Sequence, residues 1–186
     1  MMSATSELRR DHEVIMKVLN AMDLLRVMLR QGNKDLPLEV INDTIDFAKN
    51  FTDRCHHGKE EDVLFPALNA AGMPKDEGPI AVMLREHKQG REILARIEDA
   101  LARYNHGSSS IDEVIAGIEE YIILMQHHIF KENNILFNIA DMMLRSKSSE
   151  LSKGYGRIEH EVMHDKHSHY EHVAESIAER INAIKK

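Results

Sequence analysis

The same short pattern occurs twice, 72 residues apart: His56, Glu60, Leu64 and Phe65 return as His128, Glu132, Leu136 and Phe137. A lone histidine precedes each copy in matching surroundings, Arg10-Asp11-His12 and Arg85-Glu86-His87. The chain therefore reads H, HxxxE, H, HxxxE, an internal repeat of one unit. On a helix, a His and a Glu four residues apart share a face about 6 Å apart along the axis, so both reach one point. Four helices that send four imidazoles and two carboxylates to one interior describe a two-metal centre.

Everything between the motifs is compatible with helices. Apolar residues at helical spacing predict a first helix over about 6–29, with Leu8, Ile15, Leu19, Met22, Leu25 and Met28 inward and Gly32 as its stop. Asp35-Leu36-Pro37 reads as the entry to a second helix reaching about Leu68, with Val40, Ile41, Ile45, Phe47 and Ala48 inward. Gly58 and Pro66 weaken it locally. A third helix is expected over about 79–104. Ser110-Ile111-Asp112-Glu113 fits a capping box that opens a fourth, ending near Leu144. A histidine-rich segment over about 150–184 reads as one more helix. The expected fold is all-α: an up-down four-helix bundle over residues 1–146, with an additional C-terminal helix over 147–186 packed on the same domain.

Bulk properties narrow the partners. A net charge of −7 disfavours nucleic acid and anionic membranes, which attract positive faces. No apolar run approaches the roughly 18 residues of a membrane span. The first residues lack the basic and apolar regions of a signal peptide, and the single cysteine, Cys55, suits a reducing cytoplasm. Cys55 itself is expected to pack as a small apolar side chain.

The doubled letters His56-His57 and Glu60-Glu61 leave the inward register open between His56–Glu60 and His57–Glu61. Only the first keeps the spacing to Leu-Phe that His128–Glu132 has. His57, Glu61 and His127 then fall about 100° around their helices, towards outer positions. Mixed imidazole and carboxylate ligation from four helices suits a pair of iron ions better than a closed zinc site. The Glu-x-x-His spacing of ferritin-like carboxylate proteins occurs only at Glu161–His164.

On these motifs, together with Cys55 to Pro66, Leu84-Arg85-Glu86-His87 and His128 to Glu132, the chain resembles the hemerythrin-like (HHE cation-binding) family over about residues 6–144. The resemblance implies two non-haem iron ions with an oxo or hydroxo bridge. Glu60 and Glu132 would bridge them, with His12 and His56 on one ion and His87 and His128 on the other. Oxygen-carrying hemerythrins resemble this pattern but add a second histidine on the third helix. Here Met83 and Arg91 stand one turn either side of His87, which leaves one ion short of a ligand. His160, His164 and His167 form a stripe at i, i+4, i+7. Either one of them, His167 being the favoured one, or water and exogenous ligands would fill that place.

The family resemblance supports three uses. First is binding of a small diatomic ligand, O₂ or NO, for sensing, storage or detoxification. Second is enzymatic chemistry on peroxide or NO, with enzyme status left open. Third is iron handling or repair of iron centres, ranked last because the repair branch resembles this domain preceded by a cysteine-bearing extension that these residues do not show.

Overall fold

The computed structural model describes residues 3–32, 38–108, 110–164 and 167–184, and among them there is no strand. Helix α1 spans Ser6–Arg30 and α2 spans Leu38–Phe47. From α2 the chain runs on without a break through π-helical Ala48–His57 and Glu60–Leu64 into α3, Phe65–Ala70, so that 38–70 is one rod. Helix α4 spans Gly78–Asn105. Helix α5, Ile111–Lys131, continues through π-helical Glu132–Leu136 into α6, Phe137–Met143, giving a second composite rod over 111–143. After a 3-10 turn at Arg145–Lys147 come α7, Ser148–Met163, and α8, His167–Ile184.

The periodic apolar positions explain the packing. In α1, Leu8, Ile15, Leu19 and Met22 are buried, and His12 occupies a place in that same stripe. His87 likewise interrupts the stripe Ile80, Met83, Leu94 and Ile97 of α4, and His128 follows Ile118, Tyr121 and Met125 of α5. Each polar residue thus goes inside because its helix has only one apolar face to bury. Helix α4 packs on α5 and on Ala48–His57, and α1 packs on α5 and on Ala48–His57. Two apolar cores result. One contains Ile15, Phe51, Ile93 and Met125, the other Leu8, Leu64, Phe65, Met83 and Phe137, and the polar residues lie between them in every rod.

Most expected boundaries hold within two or three residues. Gly32 stops α1 with a φ of +67°, and the Ser110 hydroxyl caps α5 by accepting from the Asp112 N–H at 3.1 Å. The entry expected at Asp35-Leu36-Pro37 lies outside the described residues. Gly58 and Pro66 do not interrupt their rod; Pro66 falls in the first turn of α3, just where π-bonding gives way to α-bonding. The C-terminal segment, expected as one helix, is two. His164 adopts the left-handed conformation, φ 46°, and ends α7. Helix α7 sits on the 38–70 rod so closely that a Cβ on Gly154 would lie 2.7 Å from Val63 Cγ1. Helix α8 packs on α1 and α2. Among the described residues no helix is long and apolar enough to cross a membrane.

Candidate metal centre

Six of the seven expected residues come together. His12, His56, Glu60, His87, His128 and Glu132 converge between the two apolar cores, each 0–2% exposed. Their donor atoms form two groups that share Glu60: His12, His56, Glu60 and Glu132 in one, and His57, Glu60, His87 and His128 in the other. Each carboxylate spans both groups. Glu60 turns Oε1 towards His56 Nε2 at 3.7 Å and Oε2 towards His87 Nε2 at 3.3 Å. Glu132 turns Oε2 towards His12 Nε2 at 3.1 Å and Oε1 towards His128 Nε2 at 3.2 Å.

What surrounds the rings decides which nitrogen faces inward. Every Nδ1 meets an acceptor: His12 meets Asn133 Oδ1 at 2.9 Å, His56 meets Asp11 Oδ2 at 3.2 Å, and His57 meets Asp53 Oδ1 at 3.2 Å. His87 meets Glu61 Oε1 at 2.7 Å, and His128 meets Glu86 Oε2 at 2.9 Å. A neutral ring that donates Nδ1–H outward presents a bare Nε2 lone pair inward. The outer carboxylates are neutralised in turn: Asp11 by Lys59, Glu86 by Lys131, and both Asp53 and Glu61 by Arg91 at 2.7 Å. Outer partners of this kind fix the tautomer and orientation of metal-binding histidines.

The interior is consequently short of hydrogen. Nε2 of His12, His56 and His57 and all four oxygens of Glu60 and Glu132 lack a hydrogen-bond partner, despite approaches of 3.1–3.7 Å. Those approaches set lone pair against lone pair, an arrangement that cations resolve and protons relieve only in part. Without metal, burial and the neighbouring Glu132 charge push the Glu60 carboxyl well above its usual range. Burial opposes the Glu132 charge, yet His128 and His12 hold that carboxyl well below it. Burial lowers His57 and His87 and takes His56 down to about 4. At His128 burial acts the same way, but Glu132 and Glu86 outweigh it and lift the ring to about 9. The 3.2 Å approach of His128 Nε2 to His87 Nε2 calls for a hydrogen on one of the two, and the acids around His128 favour it there. The donor set fits metal ions of the imidazole-and-carboxylate kind.

Two expectations are corrected. His57 was placed outside the site, and instead it is buried in it, stacked on His87 with centroids 3.8 Å apart. Consecutive residues in the wide π-turn straddle the midline: His56 faces His12, and His57 faces His87. The 38–70 rod thus brings a fifth imidazole into the cluster beside His87. His167 joins neither of these groups but a third candidate one with Asp11 and Glu159, where its Nε2 donates to Asp11 Oδ1 at 3.1 Å. The left-handed turn at His164 breaks the single helix on which the His160, His164 and His167 stripe depended, and His160 and His164 are exposed. Glu61 and His127 lie outside the donor groups, as expected; Glu61 supports His87 and His127 is exposed. Cys55 is fully buried, and burial pushes its thiol up to about 12.

The 72-residue repeat also reaches further than the four residues first read from it. Lys59 matches Lys131, and Glu61 matches Asn133. In both halves the lysine pairs with the acid that precedes a lone histidine, Asp11 or Glu86, and that acid supports the other half-motif's histidine. Phe65 and Phe137 stack on His87 and His12, respectively. His57 alone has no counterpart, since Ile129 stands 72 residues on. His57→Ala is therefore expected to weaken one ion of two by more than the about 10–100-fold typical of losing an outer partner. Stepwise anaerobic metal titration reads this; two unchanged affinities would show that His57 only fills space.

Comparison with known proteins agrees with this geometry. Residues 3–140 match the hemerythrin HHE cation-binding domain. The chain is 36% identical over 85 residues to the iron-sulfur cluster repair protein YtfE of Musicola paradisiaca, covering 44% of this chain and 38% of that protein. A probable iron-sulfur cluster repair protein of Haemophilus influenzae is 34% identical over 85 residues, with the same coverage. An uncharacterized protein of Mycobacterium tuberculosis is 24% identical over 162 residues, covering 85% of this chain and 62% of the relative. The chain thus spans less than two thirds of the length of these curated relatives. No solved structure matches it. The repeated His-x-x-Lys-Glu units lie within the residues matched by the domain, and the chain belongs to the hemerythrin HHE cation-binding family.

Proposed function

We propose that the protein holds two iron ions in this cluster and handles iron in the service of damaged iron centres. The metal reading is carried by one observation: buried Nε2 atoms of His12, His56 and His57 and all four oxygens of Glu60 and Glu132 face one interior without a hydrogen-bond partner. His12 and His56 would hold one ion and His57, His87 and His128 the other, with Glu60 and Glu132 reaching both. When bound, iron supplies redox-active, Lewis-acid chemistry. The chain's own contribution is to hold the donors rigid through Asp11, Asp53, Glu61, Glu86 and Asn133, and to keep bulk water away.

The two positions are unequal, with two imidazoles at one and three at the other. Two imidazoles with two carboxylates and three imidazoles with one carboxylate hold ions unequally, and unequal retention is what an iron donor needs. The names of the YtfE-type relatives support this use over O₂ or NO binding, the use ranked first from the sequence. Diatomic binding stands as a second reading. It is favoured by a cluster buried deeply enough to admit only small molecules. On either reading residues 1–146 form an up-down four-helix bundle and 147–186 a C-terminal unit docked on it, in the cytoplasm. Its ligands are iron and small molecules rather than nucleic acid or membrane.

The test is anaerobic loading with iron(II), then incubation with sulfide and an iron-depleted iron–sulfur protein. Return of the acceptor's cluster absorbance, with loss of iron from this chain, is the expected result. Retention of all iron, with a reversible optical response to O₂ or NO, would replace repair by diatomic binding.

A further inference from the structure

The two halves of the site have the same outer chemistry but different cover. In one half Glu86 takes His128 Nδ1 and Lys131, and the Lys131 side chain is 33% exposed. In the other Asp11 takes His56 Nδ1 at 3.2 Å and Lys59 Nζ at 2.9 Å, and Lys59 is 0% exposed. The difference is made by the two C-terminal helices, which lie beyond the residues matched by the family domain. From α7, Glu159 Oε1 accepts from Lys59 Nζ at 2.5 Å. From α8, His167 Nε2 donates to Asp11 Oδ1 at 3.1 Å, and its ring packs 5.1 Å from Phe51. Asp11 is thereby held by three donors where its counterpart Glu86 has two among the described contacts.

Both helices are seated firmly enough to transmit this hold. Tyr155 donates to the Ala4 carbonyl at 3.1 Å, and Gly154 allows the close approach to Val63. Ala174, Ile177 and Ile181 of α8 are buried in the same core as Ile15 and Phe51. Asp11 fixes the His56 ring, and His56 belongs to the donor group with fewer imidazoles.

We propose that α7 and α8 act as a clamp on one ion of the pair, with His167 and Glu159 as positioning residues that act through Asp11 and Lys59 on His56. The inference rests on the two-ion reading above. The contacts of His167 and Glu159 end on Asp11 and Lys59, so they tighten the ion at His12 and His56 and leave the ion at His57, His87 and His128 near its own affinity. Retention of the ion at His12 and His56 is thus under the control of side chains outside both donor groups.

The experiment is an anaerobic iron(II) titration of the full chain against a competing chelator, resolving two affinities, on wild type, His167→Ala, His167→Gln and Glu159→Gln. Melting of each metal-free protein serves as the folding control. His167→Ala and Glu159→Gln are expected to weaken one ion by up to about 10-fold, the low end of the range for direct outer partners, and leave the other at its wild-type value. His167→Gln, whose amide N–H replaces Nε2–H, is expected to recover the lost affinity. Should His167→Ala fail to fold, Glu159→Gln, which leaves Asp11 its Lys59 contact, carries the test. Two wild-type affinities in both variants, or equal weakening of both ions, would overturn the clamp while the two-ion reading stands. A wild-type chain that takes up no iron would overturn both.

Discussion

Removing iron from the loaded protein is expected to lower its melting temperature by about 8–16 °C. Saturation at about a thousand times the dissociation constant stabilises a native state by roughly 4 kcal/mol. In a chain of this size each kcal/mol moves the midpoint by about 2–4 °C. The physical reason is the interior described above. Five imidazoles and two carboxylates are buried between apolar cores, and Nε2 of His12, His56 and His57 and all four carboxylate oxygens lack a hydrogen-bond partner. In the metal-free protein burial and neighbouring charges favour protons on Glu60 and His128, which supply no cation to the other inward donors. Each ion replaces those protons, so loading also releases acid. Calorimetry before and after treatment with a chelator, with iron counted in both samples, checks the result. An unchanged midpoint in a sample shown to have lost its iron would mean that the buried glutamates are balanced by something other than metal.

Much of this interior could be read from the chain. The His-Glu spacing, doubled at an offset of 72, places Glu60 and Glu132 at its centre. The apolar stripes of α1 and α4 bring His12 and His87 to the same level. What escaped was the consequence of the π-helical turns. An α-helical wheel gives one inward residue per turn at a given level, so choosing His56 appeared to exclude His57. The widened turn over Ala48–His57 lets both reach the interior on opposite sides of its midline. Two π-segments begin at the shared carboxylates, Glu60 and Glu132, and no local residue preference announces them. They are set by where the side chains must converge, which is tertiary information. His167 was picked for the right neighbourhood by its spacing from His160. The left-handed His164 ended that helix, and Asp11 intercepted His167 before it could reach the centre.

Glu60→Gln should separate folding from metal binding more sharply than any other single change. Burial and the Glu132 charge push the Glu60 carboxyl towards its neutral form in the metal-free protein. Glutamine is close to an isostere of that neutral acid, so metal-free stability is expected to stay level or rise. Iron loading should respond in the opposite way. Oε1 of Glu60 faces His56 and Oε2 faces His87, so the change removes one anionic donor from both groups and turns amide hydrogens towards a cation. Both ions are therefore expected to be lost, and with them the acid release that accompanies loading. Glu61→Gln makes the contrast, because Glu61 touches only the far side of His87 and Arg91. Its effect should stay near the roughly 10–100-fold typical of an outer partner, confined to one ion. Metal-free melting curves and iron counts on the two variants read both effects. If Glu60→Gln kept both ions, the shared carboxylate would have to be Glu132 alone. If it unfolded the metal-free protein, the Glu60 charge would be structural, and its burial beside Glu132 would need a different counter-ion.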